Sequence, residues 1–363
     1  MKKRIVVAMS GGVDSSVAAA LLKDEGYEVI GITMQLWPKE ECGQSRDKSC
    51  CSLEGIRDAR YVAQKLAIPF YVVDFHEEFK EHVIDYFVGS YLNGVTPNPC
   101  IVCNEKVKFG ALMQKARELG ADLIATGHYA VSYYDEDSGR FLLKAGSDAA
   151  KDQSYVLFNL SQEQLSRALF PLGSFTKDRI RRMARDLGLE LVHDKRDSQE
   201  ICFVEDDYAK YLTKKANVTM ESGPIVDKKG TVLGEHKGTP RYTIGQRHGL
   251  GIAHKEPLYV LEIDRARNAI VVGPKKDVFK RSLTAVRVSW IAFAEPKREF
   301  RAEAKIRYKH RKAPAQIIMT GVDTAEVLFD EPQDAPTPGQ AVVFYDGDIV
   351  LGGGWIEKSC IKN

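Results

Sequence analysis

Residues 4–16 read RIVVAMSGGVDSS, a short apolar run that leads directly into a glycine-rich loop and then into a helical pattern. The β-branched residues Ile5, Val6 and Val7 predict a buried first strand. Gly11 and Gly12 free the backbone amides to curl around an anion at the positive end of the helix that follows. The stretch therefore predicts an α/β domain with a phosphate-binding loop after its first strand.

The rest of the first half keeps alternating buried-looking strands with helical patterns. A helix is predicted from Asp14 to about Glu25, and the later segments are EVIGITM, SLEGIRDARYVAQKLA, PFYVVDF and ADLIATG. Such alternation is typical of a parallel sheet with helices on both faces. The stretch TKDRIRRMARDLG, 176–188, predicts a short basic helix with a threonine cap and a terminal glycine.

Beyond about Gly223 the pattern changes to short alternating runs such as TVLGE, LYVLEI, AIVVG, AEVLF and AVVFY, separated by turn residues. These runs predict β structure, as a barrel or a sandwich. The predicted fold class is α/β: an N-terminal doubly wound parallel-sheet domain with a basic helical part over 1–205, a small mostly-β linking domain over 206–280, and a C-terminal β-barrel over 281–363.

Composition narrows the protein class. The chain has 363 residues, a formal net charge of +2 and seven cysteines, and this length suits two or three domains. We find no export signal and no apolar run of transmembrane length, so a cytoplasmic location is expected. An odd number of cysteines in that compartment favours reactive or metal-bound thiols over a disulfide framework.

The SGGVDSS loop has no Walker lysine, which argues against the chemistry of the GxxxxGK[ST] loop. It resembles the pyrophosphate loop of ATP pyrophosphatases, enzymes that cleave ATP between its α and β phosphates. The resemblance implies ATP with Mg²⁺ as the nucleotide. It also implies a set of ATP-binding residues at strand ends, where open α/β sheets bind ligands: Ala8, Met9, Ser10, Gly11, Gly12, Val13, Asp14, Ser15, Met34 and Gly127.

The segment TPNPCIVCN, 96–104, places two cysteines after two prolines. The prolines predict a stiff, exposed, hairpin-like loop that presents Cys103 to solvent. Asn104 is a plausible N-cap for the next helix, and Lys106 and Lys108 lie in its first turns. A positive helix end and two cations would lower the pKa of the Cys103 thiol and favour the thiolate.

Five motifs together resemble the tRNA-specific 2-thiouridylases over essentially the whole chain: SGGVDSS at 10–16, TPNPxxxCN at 96–104, ATGHYA at 125–130, KDQSYVL at 151–157 and DSQEICFV at 197–204. The resemblance implies that Cys103 is the nucleophile and that Cys202 carries a persulfide. It also implies that the wobble uridine at position 34 of tRNA is adenylated with ATP and receives sulfur in place of its 2-oxygen, with release of AMP and pyrophosphate.

The same resemblance implies the partners and the RNA-binding residues. The partners are tRNA, with the Lys, Glu and Gln isoacceptors expected, and a sulfur donor such as a cysteine desulfurase or a sulfur-relay protein. The target base would be contacted by Asn98, Pro99 and Cys100. The tRNA contacts would be His128, Lys151, Asp152, Gln153, Arg307, Tyr308 and Gln340. The basic stretch RAEAKIRYKHRKAP, 301–314, has cations and an interleaved tyrosine that suit phosphate contact and stacking.

Position 100 departs from the family pattern, in which many members carry an aspartate assigned as a base near the target uridine. Cys100 supplies no carboxylate. An alternative is that Cys100, Cys103 and Cys202 ligate three irons of a [4Fe-4S] cluster whose open iron carries the sulfur. A zinc site that joins Cys50 and Cys51 to the two cysteines of the CxxC is a further alternative.

Two other functions fit parts of the sequence. A nitrogen-ligating ATP pyrophosphatase, of the argininosuccinate or GMP synthetase type, would need no reactive cysteine pair. A non-catalytic RNA-binding protein with a retained ATP loop would release no pyrophosphate in response to tRNA. The 4-thiouridine synthases share the ATP loop, but this sequence shows no additional sulfurtransferase domain after it.

Overall fold

The computed structural model describes residues 2–37, 53–193, 195, 201–204, 208–214 and 218–360. Its elements are numbered along the chain. The first half contains β1 (Arg4–Ala8), α1 (Val13–Asp24), β2 (Glu28–Gln35), α2 (Leu53–Lys65), β3 (Phe70–Asp74), α3 (His76–Phe79), α4 (Asp85–Leu92), α5 (Pro99–Val102), α6 (Leu112–Glu118), β4 (Leu123–Ala125), β5 (Ala130–Asp135), β6 (Arg140–Ala145), α7 (Gln162–Arg167), β7 (Ala168–Leu169), α8 (Lys177–Asp186) and α9 (Tyr208–Lys214). Two π-helical segments, Lys80–Ile84 and Cys103–Ala111, join α3 to α4 and α5 to α6.

Strands β1, β2, β3, β4 and β7 form a five-stranded parallel sheet in the order β3-β2-β1-β4-β7. Successive side chains of each strand point to opposite faces of this sheet. Ile5 and Val7 pack into one core with α1, α2 and α8, whereas Val6 packs into the opposite core with the helices between β3 and β4. Helices thus cover both faces, which confirms the predicted doubly wound domain. The parallel strands place their carboxyl ends at one edge.

The middle of the chain forms a small four-stranded sheet around its own apolar core, in the order β10-β11-β8-β9. Its strands are β8 (Gly223–Asp227), β9 (Val232–His236), β10 (Leu258–Asp264) and β11 (Ala269–Pro274). Ile225, Val260 and Ile270 are fully buried between these strands.

The last part of the chain forms a closed antiparallel barrel of six strands in the order β12-β15-β14-β13-β16-β17, which β12 closes by pairing with β17. The strands are β12 (Phe279–Trp290), β13 (Glu299–Lys305), β14 (Ala313–Met319), β15 (Ala325–Asp334), β16 (Ala341–Asp346) and β17 (Ile349–Cys360). Alternate residues such as Ala315, Ile317 and Val327 fill the interior. The alternating runs of the sequence predict this barrel correctly.

The hairpin β5–β6 belongs to the first half of the chain but extends the sheet of the barrel. Ile349 and Val350 at the start of β17 pair with Lys144 and Leu143 of β6. The α/β part and the barrel therefore share one continuous eight-stranded sheet. In the part of the chain that the structure describes, no helix has the length and apolar character needed to cross a membrane.

Candidate active site

The glycine loop lies between β1 and α1 at the carboxyl edge of the parallel sheet. Gly11 has a φ of +73°, and a Cβ there would lie 2.2 Å from the carbonyl oxygen of Gly55 in α2. Gly127, which follows β4, is equally confined, because its Cβ would lie 2.8 Å from backbone atoms of Asp14 and Ser15. The two glycines therefore let three chain segments meet closely around the loop.

Serine hydroxyls hold the shape of the loop. Ser15 Oγ accepts a hydrogen bond from the Ser10 amide at 3.1 Å, and Ser16 Oγ donates to the Gly12 carbonyl at 2.8 Å. Gly12 is the N-cap of α1, and within the described residues no side-chain hydrogen bond caps this helix end. Because no side chain of the described residues caps this end, the first amides of α1 are not blocked by a capping group. An anion-binding loop needs such amides at the positive end of a helix.

Asp14, in the first turn of α1, is held by two side chains from elsewhere in the sequence. Lys177 Nζ lies 2.7 Å and 2.9 Å from its two carboxylate oxygens, and the Tyr129 hydroxyl donates to it at 2.7 Å. Lys177 is the first residue of α8 and is buried. The sequence correctly predicts α8 as a basic helix with Thr176 as its N-cap. The pattern of residues within this helix does not indicate that Lys177 reaches the loop.

Met34 lies near the end of β2, beside the carboxyl edge of the sheet. It is partly buried and packs against the core that contains Val6, and it pairs in register with Val73 of β3. The adjacent Thr33 hydroxyl donates to the Met9 carbonyl at 2.7 Å. Met34 therefore lies at the sheet edge where the sequence predicts ATP binding.

The first cysteine segment differs from its prediction. Asn98, not Asn104, is the N-cap: its side chain accepts from the Ile101 amide, and Pro99 is the first helical residue. Proline is favoured at that position because its missing N–H would be unpaired there anyway. The helix therefore begins at residue 99, and Cys103 lies inside it, 8% exposed, rather than in an exposed loop. The prediction that Cys103 is presented to solvent at a helix start was wrong.

Asn104, the residue after Cys103, faces inward as well. Asn104 is buried and donates to the Val156 carbonyl at 2.9 Å, while its side-chain oxygen accepts from Lys108 Nζ at 2.9 Å. Lys106 pairs with its neighbour Glu105 at 2.5 Å. Lys108 and Lys106 thus each pair with a neighbouring side chain, Asn104 and Glu105 respectively.

His128 is buried next to this segment. Its Nδ1 lies 2.7 Å from the Thr126 hydroxyl. Burial, and secondarily the positive charge of Lys108, hold the pKa of His128 well below its usual range. The imidazole is therefore neutral at physiological pH.

Cys202 lies in a turn, partly buried, against the same hydrophobic cluster that contains Cys103. Its neighbour Phe203 anchors this turn: the ring is 2% exposed and lies 4.9 Å from the Phe87 centroid and 5.7 Å from that of Phe79. Two cysteines 99 residues apart in sequence therefore pack in or against the same extended hydrophobic cluster. The first half of the predicted DSQEICFV motif, 197–200, lies outside the described residues.

The KDQSYVL segment forms a turn that joins the α/β domain to the barrel. Asp152 is buried, accepts from the amides of Gly146 and Ser154 at 3.2 Å and 3.0 Å, and lies 3.7 Å from Lys305 Nζ. Gln153 accepts from the Tyr129 amide at 3.0 Å. Lys151 lies partly buried in the same turn.

The predicted RNA-facing residues of the barrel lie close to this turn. Arg307 donates to the backbone carbonyls of Asp334 and Ala335, and Tyr308 is partly buried. Lys305 lies 5.8 Å from the ring centroids of both Tyr155 and Tyr308, and burial lowers its pKa although Asp152 opposes the shift. Not every cation of the stretch 301–314 therefore faces solvent.

The predicted metal centres were compared with the donors that the structure brings together. Among the described residues, which include Cys100, Cys103 and Cys202, no group of three His, Cys, Asp or Glu side chains is placed to hold a metal ion. Cys100 is exposed whereas Cys103 is buried. In this structure, the three thiols therefore do not form a ready-made ligand set for a shared [4Fe-4S] cluster. Cys50 and Cys51, proposed for zinc, lie outside the described residues.

Comparisons with known proteins match the whole chain. Family models match residues 3–206 (tRNA methyl transferase HUP domain), 209–274 (tRNA methyl transferase PRC-barrel domain) and 280–356 (Aminomethyltransferase beta-barrel domain). The tRNA-specific 2-thiouridylase MnmA of Geotalea uraniireducens is 56% identical over 99% of this chain and 96% of that protein. The chain belongs to the tRNA-specific 2-thiouridylase family.

Other relatives agree. The 2-thiouridylase of Clostridioides difficile is 52% identical over 99% of both chains, and that of Geobacter metallireducens is 54% identical over 99% of this chain and 98% of that protein. A solved complex of a 4-thiouridine synthetase with RNA and bound ATP aligns with 55% of this chain and 45% of that chain, at a TM-score of 0.35 and 18% identity. That likeness is too small to carry an argument.

As a member of the 2-thiouridylase family, the chain arranges its predicted site residues in three groups. The loop residues, Gly127 and Met34 share the carboxyl edge of the sheet. Cys103 and Cys202 pack in or against one hydrophobic cluster, and His128 contacts Phe109 of that cluster. The residues of the turn 151–153 meet the barrel. Lys177 and Tyr129 are the functional candidates that sequence reasoning missed, because only the fold brings them to Asp14.

Proposed function

We propose that this 2-thiouridylase family member replaces the 2-oxygen of the wobble uridine of tRNA, position 34, by sulfur. It uses ATP, as MgATP, and releases AMP and pyrophosphate. The observation that carries the proposal is that Cys103 and Cys202 join one hydrophobic cluster in a domain whose sheet edge bears the SGGVDSS loop. An activating nucleotide and two thiols are what this substitution requires.

The first step is adenylation. The 2-oxygen of uridine attacks the α-phosphorus of ATP, the bond to the β-phosphate breaks, and pyrophosphate leaves. A urea-like carbonyl oxygen is a poor leaving group, whereas AMP is a good one. The amides at the start of α1 and the Lys177 ammonium, which faces Asp14, supply positive charge near the departing phosphates.

The second step is sulfur transfer. The terminal sulfur of a Cys202 persulfide attacks carbon 2 of the adenylated base, and AMP leaves with the former 2-oxygen. The Cys103 thiolate then attacks Sγ of Cys202 and breaks the sulfur–sulfur bond. Sulfur stays on the base, and a Cys103–Cys202 disulfide forms. The two thiols thereby supply the two electrons that reduce the persulfide sulfur, and an external thiol must reduce the disulfide before the next cycle.

The surroundings of the cysteines suit this sequence of steps. Cys103 is buried and Cys202 is partly buried, and a site with limited access for water would protect a persulfide and an activated base from hydrolysis. The neutral His128 and the Asn104 amide add polar groups without adding a buried charge. Asn98, Pro99 and Cys100, at the start of the helix that contains Cys103, are the proposed contacts of the target base.

The tRNA contacts proposed on the barrel side are Arg307 and Tyr308, with the turn 151–153 beside them and His128 further in. The Lys, Glu and Gln isoacceptors are the proposed substrates. The sulfur donor is proposed to be a cysteine desulfurase or a sulfur-relay protein. These assignments rest on the family's motifs.

The experiment that tests the proposal is nucleoside analysis by mass spectrometry of unmodified tRNA incubated with the purified protein, MgATP, a persulfide donor such as a cysteine desulfurase with cysteine, and a thiol that reduces the Cys103–Cys202 disulfide. The proposal predicts that the products are 2-thiouridine, AMP and pyrophosphate. A nitrogen-ligating pyrophosphatase would retain its activity when Cys103 is replaced, and a non-catalytic RNA-binding protein would release no pyrophosphate on addition of tRNA.

A further inference from the structure

A turn of the barrel, Pro338–Gln340, lies against residues 95–97, which precede Cys100 and Cys103. Residues 95–103 are called the cysteine segment below. The Thr96 amide donates to the Pro338 carbonyl at 3.0 Å. The Gln340 side-chain amide donates to the carbonyl oxygens of both Thr96 and Pro97, at 3.1 Å and 3.0 Å. One glutamine of the barrel thus bonds two successive carbonyls of the cysteine segment.

The composition of this segment explains why it needs outside donors. Residues 97 and 99 are prolines and have no backbone N–H. A segment with so few donors cannot satisfy its carbonyls by pairing with itself, and a partly buried carbonyl left unpaired is costly. The amide group of glutamine carries two N–H donors, which match two carbonyls in a row.

Gly339 brings the two segments together. It has a φ of +87°, and a Cβ at this position would lie 2.1 Å from Val95 Cγ1 and 2.8 Å from the Thr96 carbonyl oxygen. The turn is itself bonded to β17, since the Gly339 amide donates to the Ile356 carbonyl and the Ile356 amide donates to the Gln340 carbonyl, both at 2.8 Å. The barrel therefore offers a rigid support.

The bonded segment is directly connected to the nucleophile. Asn98 follows Pro97 and caps the helical turn Pro99–Val102, after which comes Cys103. The Tyr86 hydroxyl forms a further hydrogen bond with the backbone of Asn98, and the Tyr86 ring packs edge-on against Trp355 of β17 at 6.1 Å. A shift of the carbonyls at 96 and 97 would therefore tilt the cap and move the thiol.

We propose that the Pro338–Gln340 turn positions the cysteine segment, and that Gln340 is a positioning residue that acts on Cys103 through the carbonyls of Thr96 and Pro97. The family resemblance implies a tRNA contact for Gln340; in this structure its amide is engaged within the protein. The proposal rests on the proposed function only where it takes Cys103 as the nucleophile.

The test compares two variants that break the contact from different sides. Gln340→Met keeps the bulk of the side chain and removes its donors. Gly339→Ala forces the turn away from Val95 and Thr96 and removes no group that could bind RNA. Gln316→Met is the matched control, because Gln316 is a barrel glutamine whose amide bonds Glu299 instead. A thermal unfolding transition should be measured for each variant to establish that it is folded.

The primary measurement is the rate at which iodoacetamide alkylates Cys103 in the free protein, resolved from the other cysteines by peptide mass spectrometry. Loss of the support should open the segment locally, so both variants should raise this rate by about fivefold or more, with no change in the control. In the thiolation assay kcat should fall by about tenfold while KM for tRNA stays unchanged, as expected for a misplaced nucleophile.

The proposal is overturned if Gln340→Met leaves the alkylation rate unchanged, whether or not tRNA affinity falls; a loss of affinity alone would identify a direct RNA contact. A wild-type protein that forms no 2-thiouridine would refute the proposed function. The alkylation comparison, which uses no RNA and no ATP, would still decide the positioning role.

Discussion

Lys177 Nζ lies 2.7 Å and 2.9 Å from the two carboxylate oxygens of Asp14, so α8 contributes a buried cation to the SGGVDSS loop at the start of α1. Lys177 is the first residue of α8, where the helix dipole disfavours positive charge. A lysine is absent from the loop sequence itself, and the fold brings one from 163 residues further along the chain.

Replacement of Lys177 by glutamine should therefore slow pyrophosphate release. Loss of a buried charge-assisted contact is expected to reduce the rate by at least about tenfold. Asp14→Ala should abolish release altogether while the β domains stay folded. The measurement is pyrophosphate release in the presence of tRNA and a persulfide donor, with Lys23→Gln, which changes an exposed lysine of α1, as control. An unchanged rate in Lys177→Gln, or ADP and phosphate as wild-type products, would contradict the assignment.

Gly11→Ala should destroy the nucleotide loop. The new Cβ would lie 2.2 Å from the Gly55 carbonyl oxygen at a φ of +73°, so both space and backbone conformation oppose it. The matched control is Gly26→Ala: Gly26 has a φ of +90° but no atom within 4 Å of the added Cβ. Isothermal titration with MgATP should show binding in the control and none in Gly11→Ala. Equal affinities in the two variants would mean that the loop does not hold the nucleotide.

The buried His128 predicts a dependence of stability on acid. Burial lowers its pKa in the folded protein below the unfolded value near 6.5, so below that pH only the unfolded state gains a proton. The contribution of the neutral His128 to the free energy of unfolding is complete above about pH 6.5. It decreases as the pH falls, by at most about 1.4 kcal/mol per pH unit.

Denaturant unfolding of His128→Gln between pH 7 and about pH 5 checks this prediction. The variant should lose part of the pH slope of the free energy of unfolding, whatever its stability at neutral pH. The exposed His254→Gln should keep the slope of the wild type. If His128→Gln and the wild type have the same slope, the imidazole is not held neutral by burial.

The basic side of the barrel predicts tRNA binding that weakens steeply with salt. For roughly six to ten phosphate contacts, duplex behaviour gives a loss of affinity of about a thousandfold or more between about 50 and 200 mM salt. Arg307→Ala should weaken binding and reduce the salt slope by about one. Filter binding over a salt series measures both quantities. Lys115→Ala, which removes an exposed lysine paired with Glu118 in α6, is the control. A slope unchanged by Arg307→Ala would remove Arg307 from the interface.

Local patterns predicted the layers of this fold well. The apolar run at Ile5 to Val7, the following glycines and the Thr176 cap are short-range signals, and each element they predict is present. The hairpin β5–β6 was not predicted to join the barrel, because its pairing with β17 depends on residues some two hundred positions away. No periodicity within one segment carries that information.

The site shows the same division between local and long-range signals. The loop and the two cysteines were identified from motifs, whereas the approach of Lys177 to Asp14 and of Gln340 to Thr96 depends on tertiary packing. The helix start was misplaced at Asn104 because two asparagines are available as caps. Asn98 is the one used, and Pro99 at the first helical position stabilises that choice.

The central claim is that sulfur reaches tRNA through Cys103 and Cys202 without an iron–sulfur cluster. The most direct measurement is mass spectrometry of tRNA nucleosides after reaction of iron-free protein, prepared as wild type, Cys100→Ser, Cys103→Ser and Cys202→Ser, with MgATP, a persulfide donor and a thiol reductant. The account predicts 2-thiouridine from the wild type, much of that activity from Cys100→Ser, and none from the other two variants. Thiolation that appears only after anaerobic reconstitution with iron and sulfide, and that is lost in Cys100→Ser together with a stoichiometric cluster, would contradict it.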